Sequence, residues 1–355
     1  VAPPRERFAV GRRGLGELHL VDVERITTPG NLERVRKERG FREWLVFQTY
    51  LRSLQDVTLY ADAASAADPH EGLQPETADL VEISETSFAI YLPAGPPRGL
   101  VVQLTNLSGN TEWERRLTEA FHRAGWAVLA SFVPDGWALT DRMAVDRADP
   151  AEELGRRLAL AIDDRLAEWA YGVEALLEYM AERYPEVPQS PLVGVGSSAG
   201  AISLPAVAAR LAGRPQGAFD AVVLIGGGID GLSVLRNTAL QNTPLRLRWA
   251  DDKRPDRATW ERIREAYFRH SRLDGATTCA FVGPAPTLLL HAAYDRIVDA
   301  ECGEALWEAL GRPERWTYQT GHLGMFIFWV PLEIDRIVRW VESHVTSGPS
   351  SISGS

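Results

Sequence analysis

Residues 191–200 read Pro191-Leu192-Val193-Gly194-Val195-Gly196-Ser197-Ser198-Ala199-Gly200. The apolar run from Pro191 to Val195 predicts a short buried strand. After the Gly-x-Ser-x-Gly pentapeptide at 196–200, Ala201 to Leu204 and Ala206 to Leu211 predict a helix. In that context the central serine is held on a sharp turn, with its hydroxyl presented at the edge of a sheet. The glycines have a steric reason, because a side chain at either place would meet neighbouring backbone at so tight a bend. With 30 glycines in 355 residues the bare pattern is weak, and its competing reading is a Gly/Ser-rich loop. The flanking strand and helix give it weight. Pro205, which lacks a backbone donor, predicts a kink in the helix that follows.

The chain is long enough for a large core, as one α/β domain or two smaller ones. Hydrophobic residues make up 45% of it and the formal net charge is −10, which argues against a nucleic-acid partner. No apolar run reaches the length of a membrane span, so a soluble protein is expected. The first residue is Val1, consistent with a removed leader, and the compartment stays open between secreted, periplasmic and cytoplasmic. Two cysteines, Cys279 and Cys302, make neither a metal site nor a disulfide framework. They would pair only in an oxidising compartment and otherwise read as free buried thiols.

Residues 1–75 are charged and irregular and read as an N-terminal extension packed on the main domain. One amphipathic stretch runs there from Leu32 to Leu54, with Asn31 as its cap and Trp44, Leu45, Phe47, Tyr50 and Leu51 on one face. Strands are predicted over Val81–Leu92, Leu100–Leu104, Trp126–Phe132, Ala221–Ile225, Pro286–His291 and Arg315–Gln319. Thr111–Ala124 reads as a helix capped by Thr111, with Glu114 as its capping-box partner. Between Ala151 and Tyr184, Leu154, Leu158, Ile162, Leu166, Trp169, Val173, Leu176 and Met180 step by three or four, giving one long helix or two in sequence. Helices are also expected over Glu301–Leu310 and Pro331–Val345. Residues 229–284 form an insertion containing Trp249, Trp260, Tyr267 and Phe268, and residues 347–355 a Ser/Gly-rich disordered tail. Strands alternating with helices at these spacings predict a mostly parallel sheet covered on both faces, within a main domain spanning 76–346.

A serine hydroxyl needs an adjacent base, commonly a histidine oriented by a carboxylate. Of the seven histidines, His322 directly follows a predicted strand, in a loop between Gly321 and Gly324. His122 and His344 fall in helices and His19 and His70 in the extension, while His270 in the insertion is the one rival that could line a site. Asp295, after the strand that ends near His291, leaves room for one helix and one strand before His322. Asp230, after Gly226-Gly227-Gly228-Ile229, is the reserve, and Asp299 reads as a helix cap. An oxyanion formed on attack needs preorganised N–H donors. The Ala199 amide, at a helix start, is one. The second is sought in the loop Thr105-Asn106-Leu107-Ser108-Gly109-Asn110, at Asn106 or Leu107.

Gly-Ser-Ser-Ala-Gly at 196–200, His-Ala-Ala-Tyr-Asp-Arg-Ile-Val at 291–298 and Gly-His at 321–322 together resemble the α/β-hydrolase superfamily over about residues 80–345. The second motif resembles the acid-bearing segment of esterases and prolyl-oligopeptidase-like hydrolases. The resemblance implies an α/β-hydrolase fold with a helical lid at 229–284, whose aromatics would line an acyl or aryl pocket or else pack the lid itself. It implies Ser198 as nucleophile, Asp295 as acid and His322 as base, acting on a small-molecule ester without metal or organic cofactor. The chain departs from the family at Thr105-Asn106, where His-Gly is usual. Ser198 sets it apart from dehalogenases and epoxide hydrolases, which carry Asp there, and from dienelactone hydrolases, which carry Cys. A carboxylic ester hydrolase is the leading expectation. A prolyl-oligopeptidase-like peptidase, a thioesterase and a catalytically inactive hydrolase-fold binding protein are the alternatives.

Overall fold

The computed structural model describes residues 78–83, 86–107, 111–133, 144–145, 149–214, 217–236, 248–249 and 255–345. The predicted N-terminal extension, its amphipathic stretch and the tail lie outside the described residues.

Eight strands form one sheet: β1 (Ala78–Ile83), β2 (Thr86–Tyr91), β3 (Leu100–Leu104), β4 (Ala127–Ser131), β5 (Leu192–Ser197), β6 (Ala221–Ile225), β7 (Thr287–Ala292) and β8 (Glu314–Tyr318). Their order is β1-β2-β4-β3-β5-β6-β7-β8. From β4 to β8 every pairing is parallel, while β2 runs antiparallel to both β1 and β4. The expected mostly parallel sheet is therefore present. One strand expectation is corrected: Val81–Leu92 is not a single strand but parts of two, paired Ala78 to Tyr91 through Ile83 to Thr86. The polar pair Ser84-Glu85 interrupts the apolar pattern there and separates them.

The sheet is covered on both faces because its strands carry apolar side chains on both. Ile90, Leu100, Val102, Leu104 and Leu129 face one core, which they share with α2 (Ala151–Arg183), α3 (Ala199–Leu211) and α4 (Arg257–His270). Tyr91, Val101, Val128 and Ala130 alternate with them and face a second core. That core is closed by α1 (Glu112–Arg123) and by α6 (Val330–Val345), the last helix after α5 (Ala300–Ala309).

The stepped apolar positions of 154–180 are all buried, on one helix rather than two. Helix α3 runs through Pro205 as one element. In the insertion, α4 lies against α2. A Cβ on Gly155 would come within 2.4 Å of Ala266 Cβ and 2.6 Å of the Ile263 carbonyl, so glycine permits this close approach. Trp260 and Tyr267 are buried in that contact, and Phe268 packs beside them. These aromatics hold the insertion to α2. Trp249 belongs to a two-residue strand that pairs with Ala144–Val145.

Candidate active site

The turn at Ser198 is built by close backbone approach. Ser198 has φ +49° and ψ −109°, a conformation that costs a non-glycine residue on the order of 1–3 kcal/mol. The surroundings fix it: Ser198 N–H donates to the Ile225 carbonyl at 2.8 Å, and its own carbonyl accepts from Ile202 N–H at 3.0 Å. A Cβ on Gly196 would lie 2.6 Å from the Gly200 carbonyl oxygen, and one on Gly200 only 2.3 Å from that of Leu104. Both glycines of the pentapeptide thus have a steric cause in the backbone.

Ser198 Oγ lies 3.0 Å from His322 Nε2, and His322 Nδ1 lies 2.6 Å from Asp295 Oδ2. All three side chains are buried. Donation from Nδ1–H to the carboxylate leaves the Nε2 lone pair facing the serine hydroxyl. The other carboxylate oxygen of Asp295 accepts from Ile297 N–H at 2.9 Å and Val298 N–H at 3.0 Å, so the loop itself orients the acid. The loops after β7 and β8 are joined by Ala293 N–H to the Tyr318 carbonyl at 2.9 Å and Tyr294 N–H to that of Thr320 at 3.0 Å.

His322 does not swing from a loop, as its flanking glycines suggested. It opens a helical run, His322–Gly324 followed by a π-helical stretch Met325–Trp329, that continues into α6. Gly321 and Gly324 sit at the ends of that first turn. Phe326, one turn on, packs edge-to-face with the imidazole at 4.9 Å between centroids and stacks on Trp113 of α1 at 4.8 Å. Tyr294 and Leu323, next in the chain to Asp295 and His322, are exposed apolar side chains, as are Ile327, Phe328, Trp329 and Leu332 further along the helical run.

Asp230 is elsewhere. Its carboxylate accepts from Ser233 N–H and Oγ and from Arg264 Nε. His270 pairs with Glu152 at 2.8 Å on the surface. His122 faces the Leu92 carbonyl, and His344 stacks on Trp340. Asp299 occupies the N-cap position of α5. Cys279 and Cys302 are free and buried, and burial pushes both thiols up to about 12.

Ala199 is the first residue of α3, where its N–H has no intrahelical acceptor. Gly200 N–H donates to the Thr105 carbonyl at 3.1 Å and brings the loop after β3 against this helix start. Within that loop Asn106 is corrected as a backbone donor: its N–H is given to Glu114 Oε1 at 2.9 Å and its side-chain amide to Oε2 at 2.9 Å. Leu107, half-buried and next in the chain, is the remaining residue of the two.

Sequence reasoning saw Glu114 only as a capping-box partner. The capping box is present. The same carboxylate, fully buried, also accepts from Thr105 Oγ1 at 3.0 Å and from Ser197 Oγ at 2.5 Å. Burial raises its pKa, while the hydrogen bonds from Ser197, Thr111 and Asn106 lower it. No periodicity signals such a role. The one clue in the chain is a glutamate in the first turn of the helix that follows the β3 loop.

The strand order, with β2 reversed and a strained serine turn between β5 and α3, decides the architecture. The fold is the α/β-hydrolase fold. In this hydrolase fold Ser198 follows β5, Asp295 follows β7 and His322 follows β8.

No family model matches the chain, and no curated protein sequence does so either. Among solved structures it is similar to TT1662 of Thermus thermophilus, at 21% identity over 76% of this chain and 99% of that one, with a TM-score of 0.45. Est1E of Butyrivibrio proteoclasticus is similar at 15% identity over 76% and 99%, with a TM-score of 0.49. Carboxyl esterase 2 of the mycorrhizal fungus Tuber melanosporum is similar at 18% identity over 81% and 98%, with a TM-score of 0.47. Among the described residues no helix is long and apolar enough to cross a membrane. No group of three or more His, Cys, Asp or Glu among them could hold a metal ion.

Proposed function

We propose that this chain is a serine hydrolase that cleaves carboxylic esters through an acyl-enzyme, with its catalytic unit in residues 76–346. The observation that carries the reading is the hydrogen-bonded line from Ser198 through His322 to Asp295, set on a strained turn at the sheet edge.

In the proposed reaction Ser198 Oγ attacks the ester carbonyl carbon while His322 Nε2 takes its proton. Asp295 holds the imidazole in the tautomer with hydrogen on Nδ1 and stabilises the imidazolium that forms. The tetrahedral oxyanion is met by the N–H groups of Ala199 and Leu107. Collapse breaks the bond to the alcohol, which leaves with the proton from Nε2. A water molecule, deprotonated by His322, then attacks the acyl-serine, and the acid departs as Ser198 regains its proton. The exposed apolar side chains of Tyr294 and Leu323, chain neighbours of Asp295 and His322, support a substrate with an apolar moiety.

A series of p-nitrophenyl esters of rising chain length, assayed beside peptide amides, tests the substrate class. Ester turnover that vanishes in Ser198→Ala is expected. Turnover confined to amides would make the chain a peptidase instead.

A further inference from the structure

We infer that Glu114 is a positioning residue for the reaction, holding the loop after β3 and the strand end before the nucleophile in one fixed arrangement; this rests on the serine-hydrolase reading above. Glu114 belongs to α1, yet its two oxygens collect donors from three other places. Oε1 accepts from Asn106 N–H at 2.9 Å and Ser197 Oγ at 2.5 Å. Oε2 accepts from Thr105 Oγ1 at 3.0 Å, Asn106 Nδ2 at 2.9 Å, Thr111 N–H at 3.0 Å and Thr111 Oγ1 at 2.9 Å.

Three of these partners, the Asn106 and Thr111 backbone N–H groups and the Asn106 side-chain amide nitrogen, can only donate, and they fall on both oxygens, so each oxygen of the group must accept. Ser197 immediately precedes the nucleophile, and Asn106 immediately precedes Leu107, the proposed second oxyanion donor. The carboxylate therefore sets the distance between the serine turn and that donor, although it touches neither the substrate nor the reacting atoms. A cap alone would need only Thr111.

An amide at this place must turn its NH2 toward Asn106 N–H on one side or toward Asn106 Nδ2 and Thr111 N–H on the other, which displaces an Asn106 contact in either orientation. Shifts of about 1 Å in such a site cost about 100-fold in rate. In Glu114→Gln, kcat is expected to fall about 100-fold, with KM within a factor of two. The rate of fluorophosphonate labelling at Ser198 falls in parallel, because both depend on the oxyanion site. Glu114→Asp keeps the charge on a shorter stem and is expected to lose about tenfold while retaining the wild-type pH profile. Thr111→Val removes one capping hydroxyl and leaves the Asn106 and Ser197 contacts, so Tm falls and kcat stays within a factor of two.

Wild-type kcat and labelling in a folded Glu114→Gln or Glu114→Asp protein would overturn the inference. So would a loss in Thr111→Val as large as that in Glu114→Gln, since the carboxylate would then act through the helix cap alone. Absence of labelling in the wild type is a different outcome: it removes the serine-hydrolase reading and this inference with it.

Discussion

Asp230 is bonded to Arg264, with Nε 2.5 Å from its carboxylate, in a network completed by Ser233. The Asp230 carboxylate is thereby engaged in tying the turn after β6 to α4. Asp295 holds the imidazole contact. The two aspartates should separate cleanly on mutation. Asp295→Asn is expected to lower kcat by about 10⁴-fold with little change in KM, as loss of an orienting acid does. Asp230→Asn should leave kcat within about threefold and cost about 1–2 kcal/mol of stability, a modest figure because Arg264 is partly exposed to solvent. Steady-state kinetics and denaturant midpoints on both variants check this.

Gly200 and Gly95 offer a test of the serine turn. A methyl group on Gly200 would press on the Leu104 carbonyl, while nothing lies within 4 Å of one on Gly95. Gly200→Ala is expected to cost about 1–3 kcal/mol and to reduce activity, because α3 must move away from β3. Gly95→Ala should be silent in both melting temperature and kcat.

Asp163 in α2 accepts from Ser271 Oγ at 2.7 Å, Arg272 N–H at 2.8 Å and Leu273 N–H at 3.2 Å. Burial outweighs those bonds and pushes its pKa up to about 7 from the ordinary 3.8. Folding therefore takes up a proton between these values. The stability this group contributes is full below about pH 4 and is lost as pH rises through about 7. Relative to Asp163→Asn, the wild type should lose at most about 1.4 kcal/mol per pH unit across that window and run parallel above it. Urea titrations at intervals from pH 4 to 9 measure the difference.

Cys279 and Cys302 are buried, and raised thiol pKa values keep them protonated at neutral pH. Thiol reagents at pH 7.5 should modify neither in the native protein and both after unfolding. Mass spectrometry of the native and denatured reactions reads this directly.

What the sequence made legible follows from how each feature is encoded. Strands β3, β4 and β5 are short apolar runs between turn residues, and α2 repeats its apolar positions from Leu154 to Met180 over about seven turns, so local pattern determines them. The serine turn is legible because two glycines and a serine must stand at fixed spacing for steric reasons. The β1–β2 pairing was hidden, since Ser84-Glu85 is a weak break inside an alternating run. His322 was placed correctly after β8 but its local structure was not, because flanking glycines suggest a loop equally well as the ends of a helical turn. Asn106 and Glu114 show the deeper limit. Whether a loop N–H faces a substrate or a buried carboxylate is decided by side chains that meet only after α1 has packed against β3 and β5. The capping signal at Thr111 and Glu114 was correct and yet accounted for only part of that carboxylate's hydrogen bonding.

The central claim is that Ser198 is a nucleophile activated by His322. Reaction of the full chain with a fluorophosphonate probe, followed by peptide mapping, tests it most directly. The account predicts one stoichiometric adduct on Ser198, absent in Ser198→Ala and slowed by several orders of magnitude in His322→Ala. Native, folded protein that acquires no adduct, or acquires it equally in Ser198→Ala, would contradict it.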